Sequence, residues 1–440
     1  METDEIKRVI VSQREEIEEI FREERIVDRE YERERALEYL AHPNILAVLG
    51  IRRCGKSVFS LQLLKGKTFG YLNFDDERLM GLSAGDLDRV LQAFYELHGT
   101  DIGYVILDEP QNVKGWELFA NRLRRTKRVV ITGSNSKLLS GELATHLTGR
   151  YVDITLFPFS FREFLAYSGV VLKKGEVYST KKISEVRRAL ENYCAVGGFP
   201  EVQRIGKRML IKIYEDIVNK DILRRYKIRH ADTFKSVLRY LLSNSSAEFT
   251  FSKLQNIFGI KDVHTVRNWF GYMSSSYILF TLERFSYKLK EQVLAPKKIY
   301  AIDVGLVGAI GFRTSQRRGA IFENCVAIEL ARRISYWHSE WEVYYWKDHQ
   351  QREVDFVVKE GRRIRQLIQV CADMSETTTK EREIKSLIKA SRELRCNNLL
   401  VITNDYEGKE RIADKQISFI PMWKWLLEPD LATYVKQPVG

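Results

Sequence analysis

The chain has 440 residues, of which 44% are hydrophobic and 30% are charged, and its formal net charge is +12. That length exceeds what one hydrophobic core usually supports, so we expect two to four domains and no long disordered linker. The apolar runs fall far short of the roughly 20 residues that a membrane span needs. The composition therefore excludes a disordered chain and an integral membrane protein.

The five cysteines are scattered without a CxxC pair, and the seven histidines form no HxxxH spacing. Structural zinc sites need such closely spaced ligands, and disulfide frameworks need an oxidising compartment. The N-terminal segment is charged throughout and has no apolar stretch typical of a secretory signal. We therefore expect a cytoplasmic protein with reduced cysteines and no zinc centre.

The first predicted elements are charged helices within residues 1–43. From residue 44 onward, short apolar runs alternate with amphipathic segments, which is typical of a parallel sheet with helices on both faces. The sequence thus predicts an α/β domain of three layers. Its predicted strands comprise residues 45–50, 69–74, 103–109, 128–134 and 151–157.

The segment GIRRCGKS matches the phosphate-binding pattern G-x-x-x-x-G-K-[ST] and lies between a predicted strand and a predicted helix. Glycines at both ends let the backbone turn tightly, so that its amides and the helix N-terminus face phosphate oxygens. The lysine would neutralise the β- and γ-phosphates of ATP, and the serine hydroxyl would bind Mg²⁺. The predicted nucleotide-binding residues are Gly50, Ile51, Arg52, Arg53, Cys54, Gly55, Lys56 and Ser57.

The next apolar run, YVILDE, ends in two carboxylates. Following a phosphate-binding loop, Asp108 would hold Mg²⁺ through water, and Glu109 would orient and deprotonate the attacking water. Such a pair alone could instead be a helix cap or a solvated turn. The run after it, VVITGSNS, places Ser134 or Asn135 where a polar side chain positions that water, and we favour Ser134. The alternative is that either residue caps the next helix.

The order of GIRRCGKS, YLNFDDE, ILDEPQNVKGW, ITGSNSKLL, LTGRYVDITLFPFSFREF and GGFPE resembles the archaeal-type ATPase family. In that family an AAA+ module of the MoxR/novel/STAND-like branch precedes a winged helix and a restriction-endonuclease-like domain. The resemblance runs from Ile26 to Leu387. It implies an ATPase core over residues 44–160 and a helical lid over 161–230, in which Pro200 would touch the nucleotide.

A helix predicted over residues 136–147 precedes the last strand, which places Arg150 at the rim of the sheet. In AAA+ proteins that rim faces the nucleotide of a neighbouring subunit. The resemblance therefore implies a homo-oligomer in which Arg150 is an arginine finger supplied in trans to the γ-phosphate. The alternative is a surface arginine without a catalytic role.

The middle of the chain is strongly basic, since residues 201–300 carry 19 Lys and Arg against 9 Asp and Glu. This bias favours an anionic partner, most simply DNA. Three amphipathic segments and a β pair within residues 231–300 predict a winged helix, although such modules also bind proteins. The DNA-contact candidates are His264, Arg267 and Asn268 on its third helix and Lys288 and Lys290 on its wing.

In residues 301–440 the resemblance aligns Glu323, Asp355 and the strand LIQVC with the nuclease pattern E…D…E-x-K. Gln369 replaces the second carboxylate and Cys371 replaces the lysine that stabilises charge on the attacked phosphate. We therefore expect a degenerate nuclease-like α/β domain that is retained for binding DNA or a protein partner.

Taken together, these features predict an oligomeric AAA+ ATPase that binds and hydrolyses Mg-ATP and couples its nucleotide state to the basic C-terminal half. One alternative is an ATP-dependent nuclease, which would cleave DNA with Mg²⁺ or Mn²⁺. Another is a STAND-like signalling switch, which would hold ATP for long periods and turn over slowly.

Overall fold

The computed structural model describes residues 1–139, 147, 149–171, 176, 179–311, 318–374 and 377–428. The chain divides into two compact units, the first comprising residues 1–158 with 275–277 and the second the remainder. Within the described residues no helix is both long and apolar enough to span a membrane. The helix predicted over residues 136–147 starts as a 3₁₀ turn, Ser136–Leu139, and most of its remainder lies outside the described residues.

The first unit contains a five-stranded parallel sheet in the order β2-β3-β4-β1-β5. Apolar side chains on both faces of its inner strands explain the near-continuous Val, Ile and Leu runs of the sequence. The predicted α/β fold with a parallel sheet is confirmed. The strands are β1 Ile45–Leu49, β2 Phe69–Asn73, β3 Tyr104–Asp108, β4 Arg128–Gly133 and β5 Tyr151–Thr155.

In its described part, the first unit also contains five α-helices: α1 Thr3–Glu23, α2 Glu30–Leu40, α3 Lys56–Leu63, α4 Leu87–His98 and α5 Trp116–Leu123. The charged helix α1 is amphipathic and buries Ile6, Val9 and Ile10 at helical spacing. Gln13 on the same face is buried, and its amide pairs with both the N–H and the C=O of Asn73, at 2.9 and 3.1 Å. This side chain thus holds α1 against the end of edge strand β2.

The second unit begins with helices α6 Phe161–Ser168, α7 Thr180–Val196, α8 Pro200–Ile205 and α9 Met209–Asp216, followed by a π-helical segment, Ile217–Arg224. The GGFP turn between α7 and α8 packs without side chains on its glycines. A Cβ on Gly197 would lie 1.9 Å from Asp303 Oδ1, and one on Gly198 would lie 2.2 Å from the carbonyl oxygen of Phe159. The Gly198 N–H donates to Asp303 Oδ2 at 2.6 Å. Both glycines are therefore required by close packing within this unit.

Four further helices, the last of them short, and a small antiparallel sheet in the order β6-β8-β7 occupy the basic middle of the chain. Asp262 Oδ1 accepts the His264 N–H at 2.9 Å and so caps the third of these helices. Strands β7 and β8 pair as predicted, but a short helix joins them instead of a tight turn. The elements are α10 Ala231–Ser243, β6 Glu248–Phe249, α11 Phe251–Phe258, α12 Val263–Ser275, β7 Leu279–Leu282, α13 Leu289–Leu294 and β8 Lys297–Ala301.

The C-terminal part has its own six-stranded mixed sheet in the order β13-β14-β12-β11-β10-β9, separate from the parallel sheet of the first unit. Strand β10 is antiparallel to both β9 and β11, whereas β12 is parallel to β11 and to β14. The elements are α14 Val304–Ile310, α15 Arg318–Tyr336, β9 Trp341–Lys347, β10 Glu353–Glu360, β11 Arg363–Cys371, α16 Thr377–Glu393, β12 Leu399–Thr403, β13 Gly408–Ile412, β14 Lys415–Pro421 and α17 Met422–Leu427.

Candidate functional site

The loop between β1 and α3 contains the GIRRCGKS motif. Gly50 has φ 149°, and a Cβ there would lie 2.2 Å from the carbonyl oxygen of Leu156, so only glycine fits. The buried Cys54 thiol donates to the same carbonyl at 3.2 Å. Burial raises the pKa of Cys54, so its sulfur stays a neutral thiol. The loop is thus fixed against the segment that follows β5, and Cys54 serves as packing.

Lys56 starts helix α3, and its side chain folds back along the loop. Its Nζ donates to the carbonyl oxygens of Gly50 and Ile51, both at 3.1 Å, and lies 3.8 Å from Glu109 Oε1. Only 6% of the lysine is exposed. The ammonium group is therefore held between the loop and the end of β3, next to the predicted catalytic carboxylate.

Asp108 ends strand β3 and is held by both flanking strands. Tyr71 on β2 donates its hydroxyl to Asp108 Oδ2 at 2.8 Å, and Thr132 on β4 donates its hydroxyl to Oδ1. Burial and the neighbouring carboxylate raise the pKa of Tyr71 well above its ordinary value, so it remains a neutral donor. Sequence reasoning missed Tyr71 and Thr132, whose only signal was a polar atom within an apolar run.

Glu109 follows Asp108 in a left-handed conformation, φ 51° and ψ 47°, which is strained for a residue with a side chain. Its N–H donates to Thr132 Oγ1 at 3.1 Å, and Gln111 donates its side-chain amide to Glu109 Oε2. The Ser134 N–H approaches the same oxygen at 3.4 Å. The structure thus brings Glu109 and the buried Ser134 together, with Asn135 also buried beside Ser134.

A cavity of about 560 Å³ is lined by Ser57 and Asp108, among other residues of the first unit. Both residues bring the hard oxygen ligands that Mg²⁺ prefers, so they fit the predicted metal. In the part of the chain that the structure describes, no group of three or more His, Cys, Asp or Glu is arranged to hold a metal.

Arg150 is exposed and precedes edge strand β5. Its carbonyl accepts the Ile45 N–H at 2.9 Å, at the start of β1, whereas the phosphate-binding loop follows the end of β1. Because β1 and β5 are parallel, Arg150 lies at the N-terminal ends of these strands, and the phosphate-binding loop of the same chain lies at their C-terminal ends. Pro200 belongs to the second unit, where it starts α8, and its contact with nucleotide stays a prediction.

The DNA-contact candidates lie on exposed positions of the second unit. His264, Arg267 and Asn268 are exposed on α12, and the Arg267 guanidinium lies 5.6 Å from the ring centre of Phe251. The two wing candidates, Lys288 and Lys290, lie at the start of α13, and Lys288 forms an ion pair of 3.0 Å with Glu291.

The nuclease-like candidates Glu323 and Asp355 do come together, around a lysine that the sequence analysis missed. Lys298 on β8 donates from Nζ to Glu323 Oε1 at 2.8 Å and to Asp355 Oδ1 at 3.3 Å, and it pairs with Glu353 Oε1 at 2.5 Å. It is only 2% exposed. No local signal pointed to Lys298, because it lies on a strand outside the E…D…E-x-K pattern.

Gln369 and Cys371 lie beside this cluster with their polar atoms directed elsewhere. Gln369 Oε1 accepts the Asp355 N–H at 3.3 Å, and its Nε2 donates to Glu383 at 2.6 Å. The Cys371 thiol donates to the carbonyl oxygen of Asp373, and burial raises its pKa to about 11. Cys371 is therefore a protonated thiol near neutral pH and does not replace the catalytic lysine.

Three family models match the chain in succession. Residues 42–165 match an AAA domain, 187–317 match a domain of unknown function (DUF8612), and 318–425 match another domain of unknown function (DUF4143). With the parallel sheet and its phosphate-binding loop, the first of these matches places the N-terminal part in the class of AAA-type P-loop ATPases.

The uncharacterized protein MJ1544 of Methanocaldococcus jannaschii is 35% identical over 416 residues, covering 89% of this chain and 90% of the relative. The chain belongs to the same family as MJ1544. An uncharacterized protein of Haemophilus influenzae is 29% identical over 331 residues, and the match covers 70% of this chain and 79% of the Haemophilus protein. Among solved structures, the Walker-type ATPase PABY2304 of Pyrococcus abyssi matches with a TM-score of 0.44 and 16% identity, covering 65% of this chain and 96% of that one.

Proposed function

We propose that the chain binds Mg-ATP at the loop of residues 50–57 and hydrolyses it. The observation that carries this proposal is the geometry at the end of β3. There Lys56 Nζ lies 3.8 Å from Glu109 Oε1, while Asp108 is held in place by two hydroxyl groups. A cation for phosphate, a carboxylate for Mg²⁺ and a carboxylate for water thus occupy adjacent positions, as nucleotide hydrolysis requires.

Each residue has a distinct part in this proposal. Lys56 would exchange its contacts with the loop carbonyls for β- and γ-phosphate oxygens, Ser57 would bind the metal, and Asp108 would hold it through water. Bound Mg²⁺ would neutralise charge on the phosphates. Glu109 orients the attacking water and accepts its proton, with its backbone fixed by Thr132. Ser134 helps to position that water, since its N–H lies 3.4 Å from Glu109 Oε2.

Lys56→Ala tests nucleotide binding. We expect affinity for ATP to fall at least about 100-fold, because the phosphate charge loses a buried cation partner. Titration calorimetry with Mg-ATP measures this change. Lys65→Ala, on an exposed lysine just after α3, is the matched control and should bind ATP like the wild type. Unchanged affinity in Lys56→Ala would overturn the assignment of the loop.

We further propose that the second unit contacts duplex DNA through α12, as the third helix of a winged helix. His264, Asn268 and Tyr272 recur every four residues and so lie on one face of α12. The Tyr226 ring stacks on Tyr272 with 3.8 Å between ring centres and 8° between planes. This stack joins the face of α12 to the chain segment around residue 226.

That segment, residues 220–230, is the most basic exposed stretch of the second unit's described part. Its only acidic residue, Asp221, is buried. A row of cations beside a helix face with hydrogen-bonding side chains fits a phosphate backbone adjoining a groove better than it fits a protein surface. The exposed cations are Lys220, Arg224, Arg225, Lys227 and Arg229.

The salt dependence of binding tests the DNA proposal. Affinity for a short duplex should fall steeply as salt rises, and the variant Arg224→Ala with Arg225→Ala should flatten the log–log slope by about 2 through two lost phosphate contacts. Fluorescence anisotropy measures the slope. The control replaces Arg187 and Arg188, an adjacent exposed pair on α7, with alanine. Equal slopes in both double variants would contradict the proposal, and basal ATPase activity should persist in each.

A further inference from the structure

One lysine lies at the centre of the nuclease-like carboxylates of the second unit. Glu323 comes from α15, Glu353 and Asp355 come from β10, and Lys298 comes from β8 of the three-stranded sheet. Carboxylate oxygens from all three acids lie between 2.5 and 3.3 Å of Lys298 Nζ. The Tyr300 hydroxyl also donates to Glu323 Oε1 at 2.8 Å. The acids are thus directed at a cation that belongs to the chain itself.

The fold that this domain resembles implies a divalent cation at these acids, and the residues do not fit one. A divalent ion would need the same carboxylate oxygens at about 2.0–2.5 Å, in the space that the Lys298 ammonium fills. Two cations that close together in a buried site repel each other strongly. Gln369, at the position of the remaining metal ligand, turns its oxygen to the Asp355 N–H.

We infer that the Lys298 ammonium replaces the divalent cation of a nuclease site and makes the cluster a metal-independent ionic junction. The junction connects the three-stranded sheet, through β8, to the C-terminal sheet, through β10. A second lysine extends it, since Lys347 Nζ lies 2.7 Å from Glu248 on β6 and 3.5 Å from Glu353. Strands β6 and β8 therefore both contact the C-terminal sheet through ion pairs, and the lysine of β8 is the buried one.

The junction predicts that Mn²⁺ leaves the Tm of the wild type unchanged but raises the Tm of a variant without Lys298. The Tm of the wild-type second unit should be the same in excess EDTA and in millimolar MnCl₂. Lys298→Ala should have a clearly lower Tm in EDTA, since three closely spaced carboxylates, of which Asp355 is buried, lose their cation. It should regain part of that loss in MnCl₂, because the vacated space admits a metal. Differential scanning calorimetry of the full chain measures all four values.

Matched variants separate this junction from other manganese sites. Lys297→Ala removes the neighbouring lysine of β8, which pairs with Glu283, and should not acquire a response to MnCl₂. Adding Glu323→Gln to Lys298→Ala should abolish the recovery, whereas a response at the ATP site would persist.

Three outcomes would overturn the inference. It fails if MnCl₂ raises the Tm of the wild type and Glu323→Gln removes that rise. It also fails if the wild type cleaves DNA with Mn²⁺ in a manner that requires Asp355. Lys298→Ala that folds but shows no manganese-dependent recovery would equally contradict it. These outcomes do not depend on ATP binding, so they stand apart from the test of the ATPase site.

Discussion

Glu109→Gln should lower kcat for ATP hydrolysis at least about 100-fold while leaving the Kd for Mg-ATP within about twofold of the wild type. The amide keeps the size of the side chain but cannot accept a proton from the attacking water. The Glu109 backbone should stay in place, because its N–H bond to Thr132 does not involve the carboxylate. The effect should therefore fall on chemistry and spare binding.

Steady-state phosphate release and calorimetric titration of Mg-ATP check the two halves of this expectation. Glu96→Gln, an isosteric change at an exposed position of helix α4 in the same unit, is the control and should leave both values unchanged. Wild-type turnover in Glu109→Gln would remove this residue from the mechanism. A large loss of ATP affinity would instead indicate that Glu109 chiefly positions Lys56, which lies 3.8 Å away.

The sequence was sufficient to predict the phosphate-binding loop, because that motif is local. All its residues lie consecutively between one strand and one helix, and Gly50 adopts the φ of 149° that the tight turn of the motif requires. The parallel sheet was predictable for the same reason, since burial on both faces leaves continuous apolar runs. Tyr71 and Thr132 were not predictable, because they become neighbours of Asp108 only once β3 lies between β2 and β4.

The cluster around Lys298 was also not predictable from local sequence. The E…D…E-x-K pattern places the lysine two residues after a carboxylate on one strand, and Cys371 occupies that position. Lys298 reaches Asp355 from a strand 57 residues earlier in the chain, in another sheet. The GGFPE segment likewise lies in the predicted helical lid, where the resemblance implies that Pro200 touches the nucleotide. The close approach of its glycines to Asp303 and Phe159 depends on tertiary packing that no local pattern records.

Arg150→Ala should reduce ATP hydrolysis about 10³-fold or more and leave ATP binding nearly unchanged. Arg150 precedes β5 and lies beside the start of β1, while the phosphate-binding loop follows the end of β1. Strand β1 has five residues, so its two ends lie about 16 Å apart. An arginine side chain does not span that distance, so any contact of Arg150 with γ-phosphate must involve a second copy of the chain.

Mixing experiments decide whether Arg150 acts in trans. Arg150→Ala subunits keep an intact loop but lack the finger, whereas Lys56→Ala subunits lack the loop function but keep Arg150. In a ring or filament with head-to-tail interfaces, a random 1:1 mixture would pair the intact halves at about a quarter of the interfaces. Each parent should be nearly inactive, and the mixture should recover activity in proportion to that fraction. Phosphate release, measured together with assembly mass in the presence of ATP, provides the comparison. If mixtures remain as inactive as the parents, or if a strictly monomeric preparation of the wild type is fully active, Arg150 is a surface residue and the finger must be sought elsewhere in the chain.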